Sequence, residues 1–475
     1  MAAVRSAKNR VIMQAEVTRR EKLDYLMRLQ DYSLEKWRQS PALALFGSRS
    51  FGLLWLAQMI STMGDWALYV ALPVVVYNAT HSKSALGISF ICGTLPALLF
   101  SLLGGVLADR WPQKRTMIAA DLARTGAILL LLLVSSTKHL GRHDLLLFYM
   151  VSFLVASFSC FFSPARQSLM RVIVPKADLM QANSLSFTGI QACSLLGPAV
   201  GGLLLALTNP KSVFVFDAAT FAASAFLIGL IAVDKSLVPP PRKVPRGPKG
   251  VWQDANEGIA YVGNSLILRP ALVMLLTAVT ASQITNTLEF PFVRDLWHGG
   301  ASQYAGLVSL GFSAALLTGL AASGPLRSVP PARLLLIGFS IMGVTTLVFA
   351  GSKEIFIGGA MLFVSGVGNT IENIGNMTLF QSAAPPELQG RVSATISLLV
   401  KIATSVGSLL MVGLTLRFHG PLALRLIFAG VALVYLFCGG LAWITLRRFT
   451  AQDIADAGAP PEPEPAAQIA EPVHA

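Results

Sequence analysis

The sequence predicts an all-α integral membrane protein, with twelve transmembrane helices in two pseudo-symmetric six-helix halves. Three observations carry this prediction. The 475 residues are 54% hydrophobic and only 13% charged, about half the charge of a soluble domain, and the mean hydropathy is +0.62. Apolar runs of about 20 residues, long enough to cross roughly 30 Å of hydrocarbon, recur along the chain. The first six runs and the second six share short motifs at a nearly constant offset.

In order, the spans are expected near 51–78, 84–108, 116–136, 144–166, 180–207 and 211–233, then 269–293, 301–323, 333–350, 355–380, 391–416 and 420–446. An even number of crossings puts both termini on one side, and the Lys/Arg distribution selects that side. Of the 37 Lys/Arg, 27 fall with the termini and their side of the connections, eight fall opposite, and Arg124 and Lys401 lie within spans. Both termini are therefore expected in the cytoplasm.

Composition also divides the chain. Residues 1–48 form a charged cytoplasmic segment, and no cleavable signal peptide is expected there. Residues 49–233 make the first half. Residues 234–268 make a cytoplasmic linker, opening on "PPPRKVPRGPKG" and continuing into a short surface helix. Residues 269–446 make the second half. Residues 447–475, ending "APPEPEPAAQIAEPVHA", read as a disordered cytoplasmic tail.

The repeat is specific. "LPVV" at 72–75 matches "FPFV" at 290–293, an offset of 218; Gly87 falls on Gly306 and Gly105 on Gly324 at 219. "SPARQ" near the end of span 4 has a looser counterpart in "LFQSAAPPE" near the end of span 10. Two homologous halves suit a carrier, since a site at their interface is exposed alternately by rocking one half on the other.

Other function classes lack their signatures. No GxxxxGK[ST] phosphate loop occurs, and the six histidines form no HExxH. The net charge of +13 is spread between apolar runs without a basic face, so nucleic acid is not an expected partner. The four cysteines lie inside apolar runs without a CxxC pair and read as small buried hydrophobes. No cofactor or metal is expected. The expected partners are a small-molecule substrate and the bilayer, and the expected state is a monomer.

"GGVLADRWPQKR", residues 104–115 between spans 2 and 3, resembles the loop signature of the major facilitator superfamily. Gly105, Asp109, Arg110, Lys114 and Arg115 stand on its positions. The three bases obey the positive-inside rule, but the acid does not follow from it. Asp109 at the membrane boundary is expected to accept bonds from basic groups or a helix N-terminus in one state of the cycle, making a cytoplasmic gate. Asp121 and Arg124, three apart on span 3, are expected to support that gate as a pair. In the second half, "GPLRSVPPARLL" has Ser328 where the acid would stand.

"RSFGLLWLAQMISTMGDWALYVALPVVVYNAT", "SPARQSLMRVIVPKADLMQANSLS" and "PPELQGRVSA" resemble one branch of that superfamily, the bacterial macrolide-efflux-like and enterobactin-exporter-like proteins. This resemblance spans roughly residues 49–446 and implies a proton-coupled efflux carrier without enzymatic activity, with protons as a further partner, in a bacterial cytoplasmic (inner) membrane. A lipid or lysophospholipid carrier, or a non-transporting sensor on the same fold, is the alternative. "GPAVGG", with Gly197, Pro198, Gly201 and Gly202, partly resembles the antiporter motif of drug–proton exchangers; a plain tight helix contact would need the same residues.

Ionisable side chains inside spans cost about 2.5–3.5 kcal/mol even on gentle insertion scales, so each is a functional candidate. Asp65, Asp217, Glu289 and Glu372 are the acids proposed for a proton or substrate cavity. Asn373 and Asn376 join them as part of a polar stripe with Asn369 on span 10. Asp65 leads this set, because the resemblance implies that span 1 lines the cavity.

Overall fold

The computed structural model describes residues 45–108, 111–134, 142–233, 248–321, 329–385, 388–446 and 449, apart from the side chains of 101–108, 134, 142–143 and 248–255. Twelve helices among them are long and apolar enough to cross a membrane. The first half holds α1 (Arg49–Thr80), α2 (Lys83–Ala108), α3 (Gln113–Val134), α4 (Arg142–Ile173), α5 (Leu179–Leu207) and α6 (Pro210–Gly229). A connecting helix α7 (Pro248–Asn264) leads to α8 (Leu268–Leu296), α9 (Ala301–Ala321), α10 (Pro331–Gly351), α11 (Ile355–Ser382), α12 (Gln389–Arg417) and α13 (Pro421–Leu446).

Local chemistry sets several ends. Ser48 caps α1 by accepting from the Phe51 amide, and His81 ends it in the left-handed region at φ 50°. Pro210 and Pro331 each start a helix, where a missing N–H costs nothing. Pro73 in α1 and Pro291 in α8 stand at the same place in the repeat, so both halves interrupt the same helix ladder. Some helices outrun the hydrocarbon. At 32 residues α4 extends well past the expected 144–166, to about 48 Å at 1.5 Å per residue.

Packing repeats as the sequence does. In the first half α1 packs on α5 and α6, α3 on α4 and α6, and α2 on α4. In the second half α8 packs on α12 and α13, α10 on α11 and α13, and α9 on α11. Every pair in one half has its image in the other. The two halves meet chiefly through α2 against α12 and α5 against α9, again a symmetric pair.

Buried residues form separate cores. One belongs to the first half at the end where α1 begins, around Phe51, Leu54, Met117 and Leu169. Another belongs to the second half, around Leu335, Phe339, Leu379 and Phe428. A third bridges the halves where α1 and α8 end, with Val70, Val74 and Leu86 against Phe290, Tyr304 and Leu307. Among the described residues, then, the halves share a core at the end away from the termini, while the cores at the terminal end stay within one half.

The surface helix α7 is tied to the second half. Arg391 of α12 pairs with Glu257, and the Tyr261 hydroxyl donates to the Ala383 carbonyl at 3.0 Å. Residues 1–44 of the charged segment, the tail apart from Phe449, and linker residues 234–247 lie outside the described residues.

Candidate functional site

Two cavities open between the halves. The larger, about 1090 Å³, draws mostly on the second half, with Glu289, Asn369, Asn373 and Tyr435 among its walls. Trp66, Tyr69 and Gln191 close it from the first half. Its polar groups are hydroxyls and amides, and Glu289 is its single ionisable carboxylate. Asn373 donates back to the Asn369 carbonyl at 2.9 Å, which leaves its amide oxygen available to the chamber.

The smaller cavity, about 740 Å³, lies in the first half and holds Asp65, Phe90, Thr94 and Phe148. Gln283 and Lys401 reach it from the second half, and Tyr69 lines both cavities. Gln283 is the repeat image of Asp65, so two equivalent positions face one space. Lys401 makes no ion pair among the described residues, so it brings an unpaired positive charge to the wall that also carries Asp65.

Behind Asp65 sits a buried charge cluster. Arg124 bonds Asp121 at 2.5 Å, and both are buried. The Arg124 guanidinium lies over the Phe162 ring at 4.6 Å and the Phe221 ring at 4.4 Å, held by apolar faces that also attract its charge. Asp217 is fully buried as well, and neither of its carboxyl oxygens has a hydrogen-bond partner.

The polar stripe on α11 is divided. Glu372 and Asn376 are buried at the contact with α10 and hydrogen-bond each other, whereas Asn373 faces the chamber. A Cβ on Gly338 of α10 would stand 2.7 Å from the Glu372 backbone nitrogen, which shows how tightly the two helices cross. Of the six residues proposed for one cavity, Asp65, Glu289 and Asn373 therefore face cavities, two different ones. Asp217, Glu372 and Asn376 line neither.

The glycines of α5 serve close packing. A Cβ on Gly197 would fall 3.1 Å from the Met63 carbonyl, and one on Gly201 would fall 2.5 Å from the Ala67 carbonyl, both on α1. Gly202 instead admits Ala305 of α9, which makes it a contact between halves. Pro198 is buried within the same helix. In the second half, Gly407 of α12 repeats the first kind of contact against Thr280 of α8.

Of the expected cytoplasmic gate, Asp109 and Arg110 lie outside the described residues, as does Ser328, and the surroundings of Gly105 are not described. Arg115 is exposed. Lys114 donates to the Gly229 and Ile231 carbonyls, each at 2.7 Å, and so satisfies the end of α6. Asp121 and Arg124 pair as expected from their spacing.

One contact between the halves was missed by sequence reading. At the far end Tyr77 and Lys83 both contact Asp295 across the halves. The signal was present, because 77 and 295 differ by the repeat offset of 218.

The profile of the Major Facilitator Superfamily matches residues 54–408. The chain is 25% identical over 402 residues to the uncharacterized MFS-type transporter YfiS of Bacillus subtilis (strain 168), covering 81% of this chain and 88% of that protein. It is 24% identical over 379 residues to the enterobactin exporter EntS of Escherichia coli O1:K1, covering 77% and 85%. In fold it is similar to a bacterial homolog of the human lysosomal transporter Spinster in an inward-facing, unoccupied conformation. That match has TM-score 0.68 and 13% identity and covers 89% of this chain and all of the other. A point mutant of the nucleoside transporter NupG gives TM-score 0.69 at 12% identity, over 84% of this chain and all of that one. With twelve candidate spans, two repeated halves and a profile match over most of its length, the chain belongs to the Major Facilitator Superfamily.

Proposed function

We propose that the protein is a proton-coupled exporter of a small amphipathic molecule, working by alternating access with both termini in the cytoplasm. The observation that carries this reading is the 1090 Å³ chamber between the halves, with a core bridging the halves at the end away from the termini. Its volume suits a drug-sized ligand. Trp66, Tyr69 and Phe312 offer apolar faces, the amides and hydroxyls of α8 and α11 offer hydrogen bonds, and Glu289 offers one counter-charge. Amides, hydroxyls and one carboxylate set in a largely apolar wall support an amphipathic solute over a lipid. The likeness to enterobactin exporters supports outward transport.

In this reading substrate enters from the cytoplasm or inner leaflet, and a proton from outside neutralises Asp65 or Glu289. Neutralisation removes the cost of moving a charged cavity through the occluded state, and each proton crossing a 100 mV potential supplies about 2.3 kcal/mol. Asp109 holds the cytoplasmic gate in the opposite state. The test is a susceptibility and accumulation panel in an efflux-deficient host expressing the protein, with and without a protonophore. Lower accumulation of at least one compound, abolished by the protonophore, is expected. Accumulation indifferent to the protonophore would sink the antiport claim.

A further inference from the structure

We infer that the transported proton is held at Asp217, buried behind the cavity, and that Asp65 passes it there. This rests on the proton-coupled reading and deepens it by separating the proton site from the substrate chamber.

Asp217 is packed by α1 and α3. The ionisable groups acting on it are Asp65 from α1 and Arg124 from α3, and Asp121 of α3 stands beside both of these. Lys211 lies six residues earlier, at the start of its own helix, and Cys193 is the one titratable group of the neighbouring α5. Arg124 is already committed to Asp121, and its faces are covered by Phe162 and Phe221. Three carboxyls therefore share one guanidinium that is bonded to only one of them.

Asp65 is exposed to the cavity, where water can solvate it. Asp217 has no exposure and no hydrogen bond to either oxygen. An ionised carboxylate in that setting is far more costly than the neutral acid, which leaves only one hydroxyl to satisfy.

The path is short. Asp217 Oδ1 lies 2.5 Å from where a Cβ on Gly64 would stand, and the next residue in the chain is Asp65. Gly64 thus lets the buried carboxyl approach α1 one residue from the cavity surface. In the step itself Asp65 first turns within hydrogen-bond reach of Asp217, whose two oxygens have no partner among the described residues. The O–H bond of the protonated Asp65 then breaks, a new O–H bond forms on the Asp217 carboxylate, and Asp65 returns ionised to the cavity wall. Glu289 stands in the other cavity, so substrate and proton need not compete for one carboxylate. They are coupled through α1, which carries Asp65 into one cavity and Trp66 into the other.

The experiment is infrared difference spectroscopy on the purified full chain between acid and alkaline buffer, for the wild type, Asp217→Asn and Asp65→Asn. The wild type is expected to show a protonated-carboxyl C=O band that is lost in Asp217→Asn. Asp65→Asn should keep the band but slow its exchange into deuterated water. Asparagine is a neutral isostere of the protonated acid, so Asp217→Asn is expected to unfold at the wild-type temperature in a thermal-shift assay. An unchanged band in Asp217→Asn, or failure of that variant to fold, would overturn the inference. The protonophore panel separates the two readings: accumulation indifferent to the protonophore removes the transport role of Asp217, whereas the infrared band alone decides whether it holds a proton.

Discussion

The Tyr77 hydroxyl donates to both carboxylate oxygens of Asp295, at 2.8 and 2.7 Å, and the Lys83 ammonium lies 3.0 Å from Oδ2. Tyr77 and Asp295 are 218 residues apart, the offset of the internal repeat, so each is the other's image and they meet across the interface of the halves. Asp65 and Gln283 have the same relationship deeper in the membrane, on the walls of one cavity. Helices α1 and α8 thus approach each other at matching positions, and a polar contact made there opens or closes with any rocking of the halves.

Breaking this contact is expected to favour the state open at that end. A hydrogen bond to a charged group contributes about 1.5–3 kcal/mol, and partial exposure of Lys83 and Asp295 lowers the ion-pair share. Asp295→Asn should therefore shift the equilibrium about 10-fold, and Tyr77→Phe by less. Spin-label distances between the far ends of α1 and α8 would show a larger long-distance population; distributions identical to wild type would count against the closure.

Arg124→Ala is expected to destabilise the first half by about 3–5 kcal/mol, because Asp121 would remain buried without its partner. The double variant Asp121→Asn/Arg124→Ala should recover part of the loss. Thermal-shift measurements in detergent would check both, and equal melting temperatures for the single variant and wild type would contradict the pairing.

Gly201→Ala is expected to cost about 1–3 kcal/mol, since the new Cβ meets rigid backbone of Ala67 rather than a movable side chain. Gly413→Ala on α12 is the control. Nothing lies within 4 Å of its Cβ position, so it should be neutral or slightly stabilising. Melting temperatures of the two variants side by side decide the matter.

The two cavities should separate in their variants. Asp65→Asn is expected to abolish proton-driven export in vesicles, and retained export would exclude Asp65 as a proton carrier. Glu289→Gln is expected to weaken handling of cationic compounds by about 10-fold while sparing neutral ones, the effect of losing one charge-assisted contact. Concentration dependence of export for matched cationic and neutral compounds would measure it.

Asp109→Asn is expected to impair transport and leave membrane insertion intact, since neither span length nor loop basicity changes. Uptake by vesicles with matched protein levels would test this. Wild-type rates in the variant would remove the proposed gate.

Much of the architecture was legible because hydrocarbon thickness is a one-dimensional constraint. A run of about 20 apolar residues must cross, and its length can be counted on the chain. The repeat was legible because "LPVV" and "FPFV" keep their spacing, and the structure returns it as matching helix contacts. Asp121 and Arg124 were legible as a pair because positions three apart share a helix face. The division of the acids was not. In a bilayer the lipid-facing and core-facing sides of a helix are both apolar, so Gly64 and Asp65 give no sign of which one backs onto α6 and which one opens into a cavity.

By itself, then, the sequence determined the class, the number of expected spans, the two halves and which charges lie inside the membrane, all set by solvation and spacing along the chain. Only the tertiary structure decided that Asp65 and Glu289 face separate cavities, that Asp217 and Glu372 are buried behind them, and that Tyr77 meets Asp295. Those assignments depend on the rotation of each helix about its axis, and packing against neighbouring helices sets that rotation.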